Sequence, residues 1–261
     1  MRKIKSVLIA AVFCLPVSSQ GADTTEDLRV QRTRRSFSAG VGVQRAKLNF
    51  KSDTVKSNIE LTAIPQLLLA GDFWVDEALG LIARMNIGTG AKVDGLFGQS
   101  VNVNTLGYTL GARYRWHLSP RARTTSVGVH FGLHGYKQSA QDQRPSVILN
   151  RHIIGPGFGA FITQPWGSGH DWVRISLRYE LPFFLREEPT DSGDPQSFSA
   201  FGGRTEFNLK IHRDWALGLE FDYLMRRIDF DGAATRAGGT NNGLSNETMM
   251  MLGLYARWLQ N

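Results

Sequence analysis

The sequence predicts an all-β fold, a ten-stranded antiparallel up-and-down β-barrel, and three observations support this prediction. Apolar and polar residues alternate from Phe37 to the C-terminus in segments of about ten residues, the length of a strand. Long and short connections alternate between these segments, which is typical of neighbouring strands that run in opposite directions. No apolar run after the N-terminal one reaches the length of a spanning helix. Closing such a sheet removes its edges, so we expect a barrel.

The N-terminus has the features of a secretory signal peptide. A basic start is followed by an apolar run of about a dozen residues, Ser6–Val17, and then by small residues. The one cysteine, Cys14, lies within this run, so the mature chain is predicted to form no disulfide in its oxidising compartment. We therefore expect a signal peptide at 1–22, a periplasmic leader at 23–35 and a barrel at 36–261.

The ten strands are placed where the alternation begins and ends. On each strand one face is mostly apolar, and on the second strand Leu61 and Leu67 are assigned to that same face. The apolar parity of the first strand changes near Gln44–Arg45, which predicts a β-bulge there. The predicted strands are 36–50, 58–70, 78–89, 103–117, 124–137, 151–163, 171–186, 198–212, 215–228 and 248–259.

The connections fall into two groups. They are long and polar after odd-numbered strands and tighter after even-numbered ones. One end of the barrel, the short-turn end, therefore carries both termini, and the other, the long-loop end, carries five longer loops. The long connections are predicted at 51–57, 90–102, 138–150, 187–197 and 229–247, and the short ones at 71–77, 118–123, 164–170 and 213–214.

The composition of the polar face indicates which way the sheet is turned. A soluble barrel turns its apolar face inward, and a membrane barrel turns that face to lipid. Glycines are frequent on the polar face, where they weaken a water-facing strand but make room for large side chains in a narrow interior. Charges of both signs accompany them, which predicts a mutually neutralising lumen charge network. Its predicted members are Arg84, Arg113, Arg115, Arg174, Arg178, Glu180, Arg204, Glu206, Lys210, Glu220, Asp222 and Arg257.

The tryptophans favour the membrane barrel too. Tryptophan prefers the interface between membrane and water, where its ring is partly dry and partly wet. In the predicted topology all of them fall at the short-turn end, and a soluble barrel gives no reason for a one-sided ring. The predicted membrane-interface girdle consists of Trp74, Trp116, Trp166, Trp172, Trp215 and Trp258.

The mature chain resembles the small, porin-like outer-membrane β-barrel proteins of Gram-negative bacteria. The even strand number, the shared location of the termini and the long loops opposite carry this resemblance. The last strand partly matches the assembly signal of such proteins at Gly253, Ala256 and Trp258, although the chain ends on Asn261 rather than on an aromatic residue. The resemblance implies an outer-membrane location with both termini in the periplasm. It also implies contact with outer-membrane lipid, lipopolysaccharide and the barrel assembly machinery.

No motif for a metal, cofactor or nucleic-acid site stands out. There is no cysteine–histidine cluster, phosphate loop or dinucleotide loop, and three cations of the net charge of +7 belong to the signal peptide. His130 and His134 share a strand face but stand about 13 Å apart, too far to hold one metal ion. We therefore expect no metal, no cofactor and no nucleic-acid partner.

Two groups of residues resemble parts of known hydrolase sites. His117 and Ser119 resemble the His-x-Ser of outer-membrane lipid A deacylases, but they fall at the short-turn, periplasmic end. Ten strands also match the omptin proteases, whose paired acids and histidine lie near the outer rim. Neither resemblance extends to a full motif, so we expect no catalytic residues. The acids and histidine that could serve at the rim are Asp142, His152, Asp191, Asp194, Asp229 and Asp231.

Together these features favour a non-enzymatic barrel with a largely side-chain-filled lumen. Barrels of about eight strands have interiors that side chains fill, and ten strands lie close to that limit. The long loops then suggest an envelope role or a surface interaction with a partner that the sequence does not identify. A narrow pore for small solutes is the alternative, and a rim-located omptin-type protease or lipid-modifying hydrolase is a third hypothesis.

Overall fold

The computed structural model describes residues 35–54, 56–94, 100–120, 124–140, 149–166, 171–212, 214–235 and 242–260, almost all of them in strands. The predicted signal peptide and nearly all of the predicted leader lie outside the described residues. Within those ranges, no helix has the length and apolar character needed to span a membrane. The strands are β1 (Arg35–Lys51), β2 (Lys56–Trp74), β3 (Leu79–Asp94), β4 (Ser100–His117), β5 (Ser126–Ala140), β6 (Asn150–Trp166), β7 (Asp171–Glu180), β8 (Phe184–Glu188), β9 (Asp194–His212), β10 (Trp215–Asp231) and β11 (Leu244–Gln260).

The strands close into one antiparallel barrel with ten positions. They are hydrogen-bonded in the order β5-β4-β3-β2-β1-β11-β10-β9-β7-β6-β8, and a further pairing of β5 with β6 closes the ring. Because β7 and β8 pair with different parts of β6, these two strands share one position. The predicted ten-stranded antiparallel barrel is confirmed.

A short interruption separates β7 from β8 within the seventh predicted strand. Pro182 lies in this gap, and proline has no N–H to donate to a neighbouring strand. The amides on either side still reach β6, because Leu181 N donates to Pro156 O at 2.9 Å and Phe183 N donates to Ile154 O at 3.1 Å. The wall therefore remains hydrogen-bonded across the gap.

The predicted bulge is present, but its extra residue lies on β2. The register of β1 against β2 shifts between Gln44 and Ala46, and Ala63 of β2 has a φ of 56°. Side chains of β1 keep one alternation throughout, whereas those of β2 change faces at the bulge. The placement of Leu61 beside Leu67 on the outer face is therefore wrong, since Leu61 points into the barrel and is fully buried.

The strands are longer than a membrane requires. β9 begins at Asp194 and β11 at Leu244, so parts of the predicted loops 187–197 and 229–247 are strand. Apart from β7 and β8, each strand has 15 to 19 residues. About 9–11 residues suffice for a strand to cross a bilayer. The barrel is therefore taller than the hydrocarbon layer of a membrane.

The outer surface carries an apolar belt that gives way to polar residues towards the long-loop end. On β10, outward Leu217, Phe221 and Met225 are followed by Arg227 and Asp229. The same change occurs on β1, β5, β6 and β8. We define the apolar belt by the large exposed residues Phe37, Val41, Val43, Leu67, Leu79, Leu81, Met85, Leu110, Tyr114, Val129, Phe131, Leu133, Phe158, Leu177, Phe201, Phe207, Leu209, Ile211, Leu217, Leu219, Phe221, Met225, Met250, Leu252 and Leu254.

The interior changes in the opposite sense. On β10, inward Glu220 and Asp222 are followed by Leu224, Arg226, Ile228 and Phe230, and only Arg226 of these four is charged. Charged side chains thus face the lumen within the belt, and mainly apolar side chains, with a few paired charges among them, face it beyond the belt, as in a water-soluble barrel. We call the inner apolar cluster the apolar cap; it consists of Ala46, Phe50, Leu61, Ile64, Ala91, Val101, Val103, Tyr136, Ile153, Ala200, Leu224, Ile228, Phe230 and Met249.

Candidate functional site

Ion-paired side chains fill the lumen below the apolar cap. Alternate residues of each strand point inward, so the strand period places these side chains in one enclosed space. They are buried or nearly so, and each is within ion-pair distance of an opposite charge. We call this set the lumen network; it consists of Asp72, Arg84, Arg113, Arg174, Arg178, Glu180, Arg204, Glu206, Glu220, Asp222 and Arg257.

Arg84 connects opposite walls of the barrel. Its Nη2 donates to Glu206 Oε1 at 2.7 Å, and its Nη1 donates to Glu220 Oε2 at 2.8 Å. Arg84 is on β3 and Glu206 is on β9, and four barrel positions separate these strands in either direction around the ring. The pair therefore spans the full width of the lumen.

Asp222 joins two arginines nearer to the cap. Arg178 Nη1 and Arg204 Nε each donate to Asp222 Oδ2 at 3.0 Å. Arg178 Nε also donates to Glu180 Oε1 at 3.0 Å. These contacts link β7, β9 and β10, so the same carboxylate neutralises charges from two neighbouring strands.

Asp72 neutralises the network towards the short-turn end. Its carboxylate lies 3.2 Å from Arg113 Nη2 and 3.8 Å from Arg174 Nη1. Arg174 Nη1 also lies 3.5 Å from Glu206 Oε2, where it meets the cross-lumen pair. The lumen network is thus continuous from the cap to the short turns.

Because the charged side chains of the lumen network are buried, the stability of each one depends on the opposite charges next to it. Removing a charge from water costs several kcal/mol, and this cost is offset only where opposite charges and hydrogen bonds are well placed. Deleting one partner of such a pair costs about 3–5 kcal/mol, because the other charge remains buried. Closely matched charges of both signs therefore fill the lumen, rather than a surplus of one sign that would suit an ion path.

Glycines on β6 make room for two lumen histidines. A Cβ added at Gly157 would lie 2.6 Å from His134 Cδ2, and one added at Gly159 would lie 2.5 Å from His130 Cε1. His134 Nδ1 lies 3.2 Å from Thr109 Oγ1. No group of histidine, cysteine and acidic residues within the described ranges is placed to hold a metal ion.

The structure places most of the predicted charge network together. Of its twelve predicted members, only Arg115 and Lys210 lie apart from the lumen network defined above. Arg115 Nε donates to Glu77 O at 2.9 Å near the short turns, and Lys210 is half-buried near the end of β9. Asp72 was missed, because the second strand was predicted to end before it. The observed β2 is longer than predicted, so Asp72 lies within this strand, at a position whose side chain points into the barrel.

Two of the six predicted girdle tryptophans lie inside the barrel. Trp74 is buried, with Arg113 and Arg115 stacked 4.1 and 3.5 Å from its ring centroid. The Trp172 ring lies 4.6 Å from the Arg174 guanidinium. Their assignment to an outer girdle is wrong because both have inward parity. The remaining tryptophans, Trp116, Trp166, Trp215 and Trp258, are exposed on the outside at the short-turn end.

A second ion-paired cluster lies within the apolar cap. Arg151 lies 2.6 Å from Glu187, and Arg226 donates to Glu247 at 2.8 Å. Arg151 also contacts Glu247, so one carboxylate joins both arginines. The prediction missed this cluster because Glu187 and Glu247 were assigned to loops. The strands extend through both positions.

Small cavities remain between these layers. One, of about 100 Å³, lies between the lumen network and the cap and is lined in part by Arg178, Asp222 and Met249. The other, of about 60 Å³, lies deeper and is lined in part by Arg113 and His130. Volumes of this size accommodate a few water molecules beside polar side chains.

The predicted hydrolase candidates do not converge within the described residues. His117 and Ser119 lie at the short-turn end, and His152 faces outward with its ring 5.7 Å from that of Phe184. Asp142 lies outside the described residues. Asp194 and Asp231 are exposed cross-strand partners at the far ends of β9 and β10.

The other two rim acids are held by nearby hydroxyl groups. Asp191 accepts hydrogen bonds from Thr235 Oγ1 at 2.8 Å and Thr235 N at 3.2 Å, and these bonds lower the pKa of Asp191. Asp229 accepts a bond from Ser197, which lowers the pKa of Asp229 as well. Depressed pKa values keep both carboxylates ionised, and both bond to loop or strand groups rather than to a histidine.

Among solved structures, the chain is similar to the outer membrane protease OmpT from Escherichia coli. The TM-score is 0.55 at 7% identity, and the match covers 89% of this chain and 98% of that one. The chain has the fold of a small Gram-negative outer-membrane β-barrel. At this identity the similarity extends to the fold alone.

Two further similar structures are outer-membrane barrels. OprG from Pseudomonas aeruginosa has a TM-score of 0.47 at 10% identity, and the match covers 89% of this chain and 99% of that one. The attachment invasion locus protein Ail of Yersinia pestis has a TM-score of 0.32 at 13% identity, covering 87% and 99%. No protein-family model and no curated protein matches the chain.

Proposed function

We propose that this chain is a non-enzymatic, non-conducting outer-membrane barrel, whose lumen is sealed by side chains and which acts through its outer surface. In this proposal the short turns and both termini lie in the periplasm. The long-loop end projects from the cell, and its polar outer wall offers the surface for an envelope or surface interaction. The observation that carries the proposal is the apolar cap across the lumen.

The cap joins strands from opposite walls. Val103 of β4 and Ile228 of β10 are both fully buried in this one cluster, and four barrel positions separate their strands in either direction. The rings of Phe50 and Phe230 lie 6.5 Å apart between their centroids. A packed apolar layer of this kind contains few voids larger than a water molecule. The charged side chains within the cap are paired with one another, Arg151 with Glu187 and Glu247, and Arg226 with Glu247. This packing and pairing support a cap without an open path for an ion or a sugar.

The lumen network forms a second barrier beneath the cap. The ion pairs between Arg84, Glu206 and Glu220 cross the lumen. A solute that entered there would have to separate charges that are buried together, at a cost of several kcal/mol. Two barriers of different chemistry in series support a closed lumen more strongly than either one alone.

Bacterial outer-membrane barrels supply the reason for the proposed orientation. Their short turns face the periplasm and their longer loops face the exterior. The exposed Trp116, Trp166, Trp215 and Trp258 then lie at the periplasmic interface, where tryptophan is favoured. The part of the barrel with an apolar interior and a polar outer wall then stands outside the cell.

Proteoliposome swelling tests the proposal. Liposomes that carry the folded protein should swell in arabinose no faster than protein-free liposomes do. A refolded sixteen-stranded porin serves as the positive control, because barrels of about that size enclose an aqueous channel. Swelling above the protein-free rate would favour the narrow-pore alternative, and cleavage of a basic test peptide by the same preparation would favour a rim protease.

A further inference from the structure

An excess of positive charge surrounds the deeper of the cavities described above, the one of about 60 Å³. Five arginines of the lumen network line it, whereas Glu206 is the one carboxylate of that network among the described residues of its wall. We call this space the arginine cavity; its arginines are Arg84, Arg113, Arg174, Arg178 and Arg204.

The other carboxylates of the lumen network face different spaces. Glu180 and Asp222 line the larger cavity near the cap, together with four arginines. Glu220 lines a third small cavity, in which two arginines meet two carboxylates. Asp72 lines none of these three cavities. Among the three, the arginine cavity therefore has the largest excess of positive charge.

Two of these arginines carry buried N–H groups that have no acceptor among the described residues. The Nε atoms of Arg84 and Arg113 are both unpaired, although the two side chains are only 8% and 3% exposed. Arg113 Nη2 lies 3.2 Å from Asp72 Oδ1, but the two atoms are not aligned for a hydrogen bond. Because an unpaired donor on a buried charged group is costly, these atoms favour an acceptor placed in the cavity.

The lumen network as a whole is one negative charge short. Its described members are six arginines and five carboxylates. Arginine stays protonated in proteins, so titration of an arginine does not remove the difference. A single monovalent anion would balance the network, and the cost of burying an unmatched charge gives the reason for binding it.

The arginine cavity has room for a small ion. Gly111 of β4 and Gly132 of β5 lie opposite each other in its wall and contribute no side chain. His130 and His134 also line it, and an imidazole offers an N–H donor in its neutral form as well as in its protonated form. A halide ion is only slightly larger than a water molecule, so the cavity accommodates one halide ion with space for water beside it.

We propose that the arginine cavity binds a monovalent inorganic anion, chloride in an ordinary medium, which accepts hydrogen bonds from Arg84 and Arg113. The anion is a structural ligand that balances the excess cation of the lumen network. It is taken up while the chain folds, so binding requires no open path through the folded lumen. The site follows from the side chains of the lumen and does not depend on which end of the barrel faces the periplasm.

Urea unfolding of the full mature chain in a neutral detergent tests the inference. The protein is refolded and unfolded at constant ionic strength while chloride replaces gluconate, which is too bulky for the cavity. Because one anion is released on unfolding, the unfolding equilibrium constant should fall about tenfold for each tenfold rise in chloride above its dissociation constant. A wild-type protein whose unfolding is the same in chloride and in gluconate would overturn the inference.

Two variants locate the effect. Arg113→Gln removes one cation from the arginine cavity, and the dependence on chloride should disappear. The matched control is Arg226→Gln, which removes a buried arginine that pairs with Glu247 in the cap and does not line the arginine cavity. This control should unfold at lower urea and keep the wild-type dependence on chloride. An unchanged dependence in Arg113→Gln, or its loss in both variants, would contradict the proposed site.

Crystals of the wild-type protein, refolded and grown with sodium bromide, give a direct result even if Arg113→Gln does not fold. Bromide scatters anomalously and replaces chloride. An anomalous peak should lie in the arginine cavity, within about 3.5 Å of the Nε atom of Arg84 or Arg113. A lumen without such a peak would overturn the inference, because any effect of chloride on unfolding would then arise elsewhere.

The two proposals fail separately. Swelling of the wild-type proteoliposomes would remove the closed lumen and leave the chloride dependence of unfolding intact. Unfolding without a chloride dependence would remove the anion site, and swelling would remain at the protein-free rate.

Discussion

Arg84 and Glu206 project from opposite walls of the barrel, β3 and β9, and their side chains meet at 2.7 Å in the middle of the lumen. The Arg84 side chain also reaches Glu220 on the neighbouring β10. One arginine thus holds two strands of the far wall. This arrangement places ion-paired side chains across the centre of the lumen, and Arg84 connects the two walls there.

We expect Arg84→Ala to lower the free energy of unfolding by about 3–5 kcal/mol, because it leaves Glu206 and Glu220 buried without their shared partner. Urea titration in detergent, followed by tryptophan fluorescence, measures this change. The control is Arg45→Ala, which breaks a pair with Glu60 on the exposed outer wall and should cost less than about 1 kcal/mol. Equal effects of the two variants would show that the cross-lumen pair adds nothing.

We expect position 157 to require glycine, because a larger residue would not fit beside His134. Gly157→Ala places a methyl group against the His134 ring, and we expect it to destabilise the barrel by about 1–3 kcal/mol. Gly203→Ala is the matched control, because a Cβ there meets its nearest neighbour, Leu177 Cδ2, at an ordinary 3.5 Å. Urea midpoints of the two variants measure the difference. A tolerated Gly157→Ala would mean that the histidine has free space beside it.

The two faces of the wall can be distinguished by their tryptophans. In liposomes with brominated acyl chains, a variant that keeps only Trp258 should be strongly quenched, because that side chain is exposed on the outside. A variant that keeps only Trp74 should be quenched far less, since its ring is buried inside the barrel against two arginines. The reverse order would mean that the faces are inverted.

The contact between Asp191 and Thr235 should depend on pH in acid. Because its folded-state pKa lies below the ordinary value of 3.8, Asp191 stabilises the contact above that pH, and the stabilisation is lost as pH falls through the lower folded pKa. An NMR titration of the Asp191 carboxyl carbon measures the pKa. Thr235→Val should bring the pKa back towards 3.8, whereas Thr235→Ser, which keeps the hydroxyl, should leave it low. Identical titrations for Val and Ser would contradict this cause.

Alternation along the strands made the barrel and most of its lumen charges predictable. Arg178 and Asp222 could be assigned to one interior because parity depends only on position within a strand. Alternation cannot assign a side chain to the inner or outer face where the end of a strand is misplaced, and Asp72 was missed for that reason. Trp74 could not be assigned from its preference for interfaces, because the two arginines that stack on it come from another strand.

The apolar cap could not be predicted from alternation alone. Ile228 and Leu61 have the composition of lipid-facing residues, and the sequence pattern does not say at which height the barrel leaves the membrane. The bulge at Ala63 reverses the faces of β2 by one residue, and such a shift turns every later side chain over. Where the inner face of a strand changes from polar to apolar along its length, the pattern of that strand alone does not show which face points inward. The pairing with neighbouring strands is needed to decide.

Single-channel recording in planar bilayers tests the sealed lumen most directly. Bilayers that contain the folded wild-type protein should show no stable current steps at any voltage the bilayer withstands. The variant Arg84→Ala/Ile228→Ala, which weakens both barriers, should show transient openings that confirm insertion. Stable, reproducible current steps from the wild-type protein would contradict the sealed lumen.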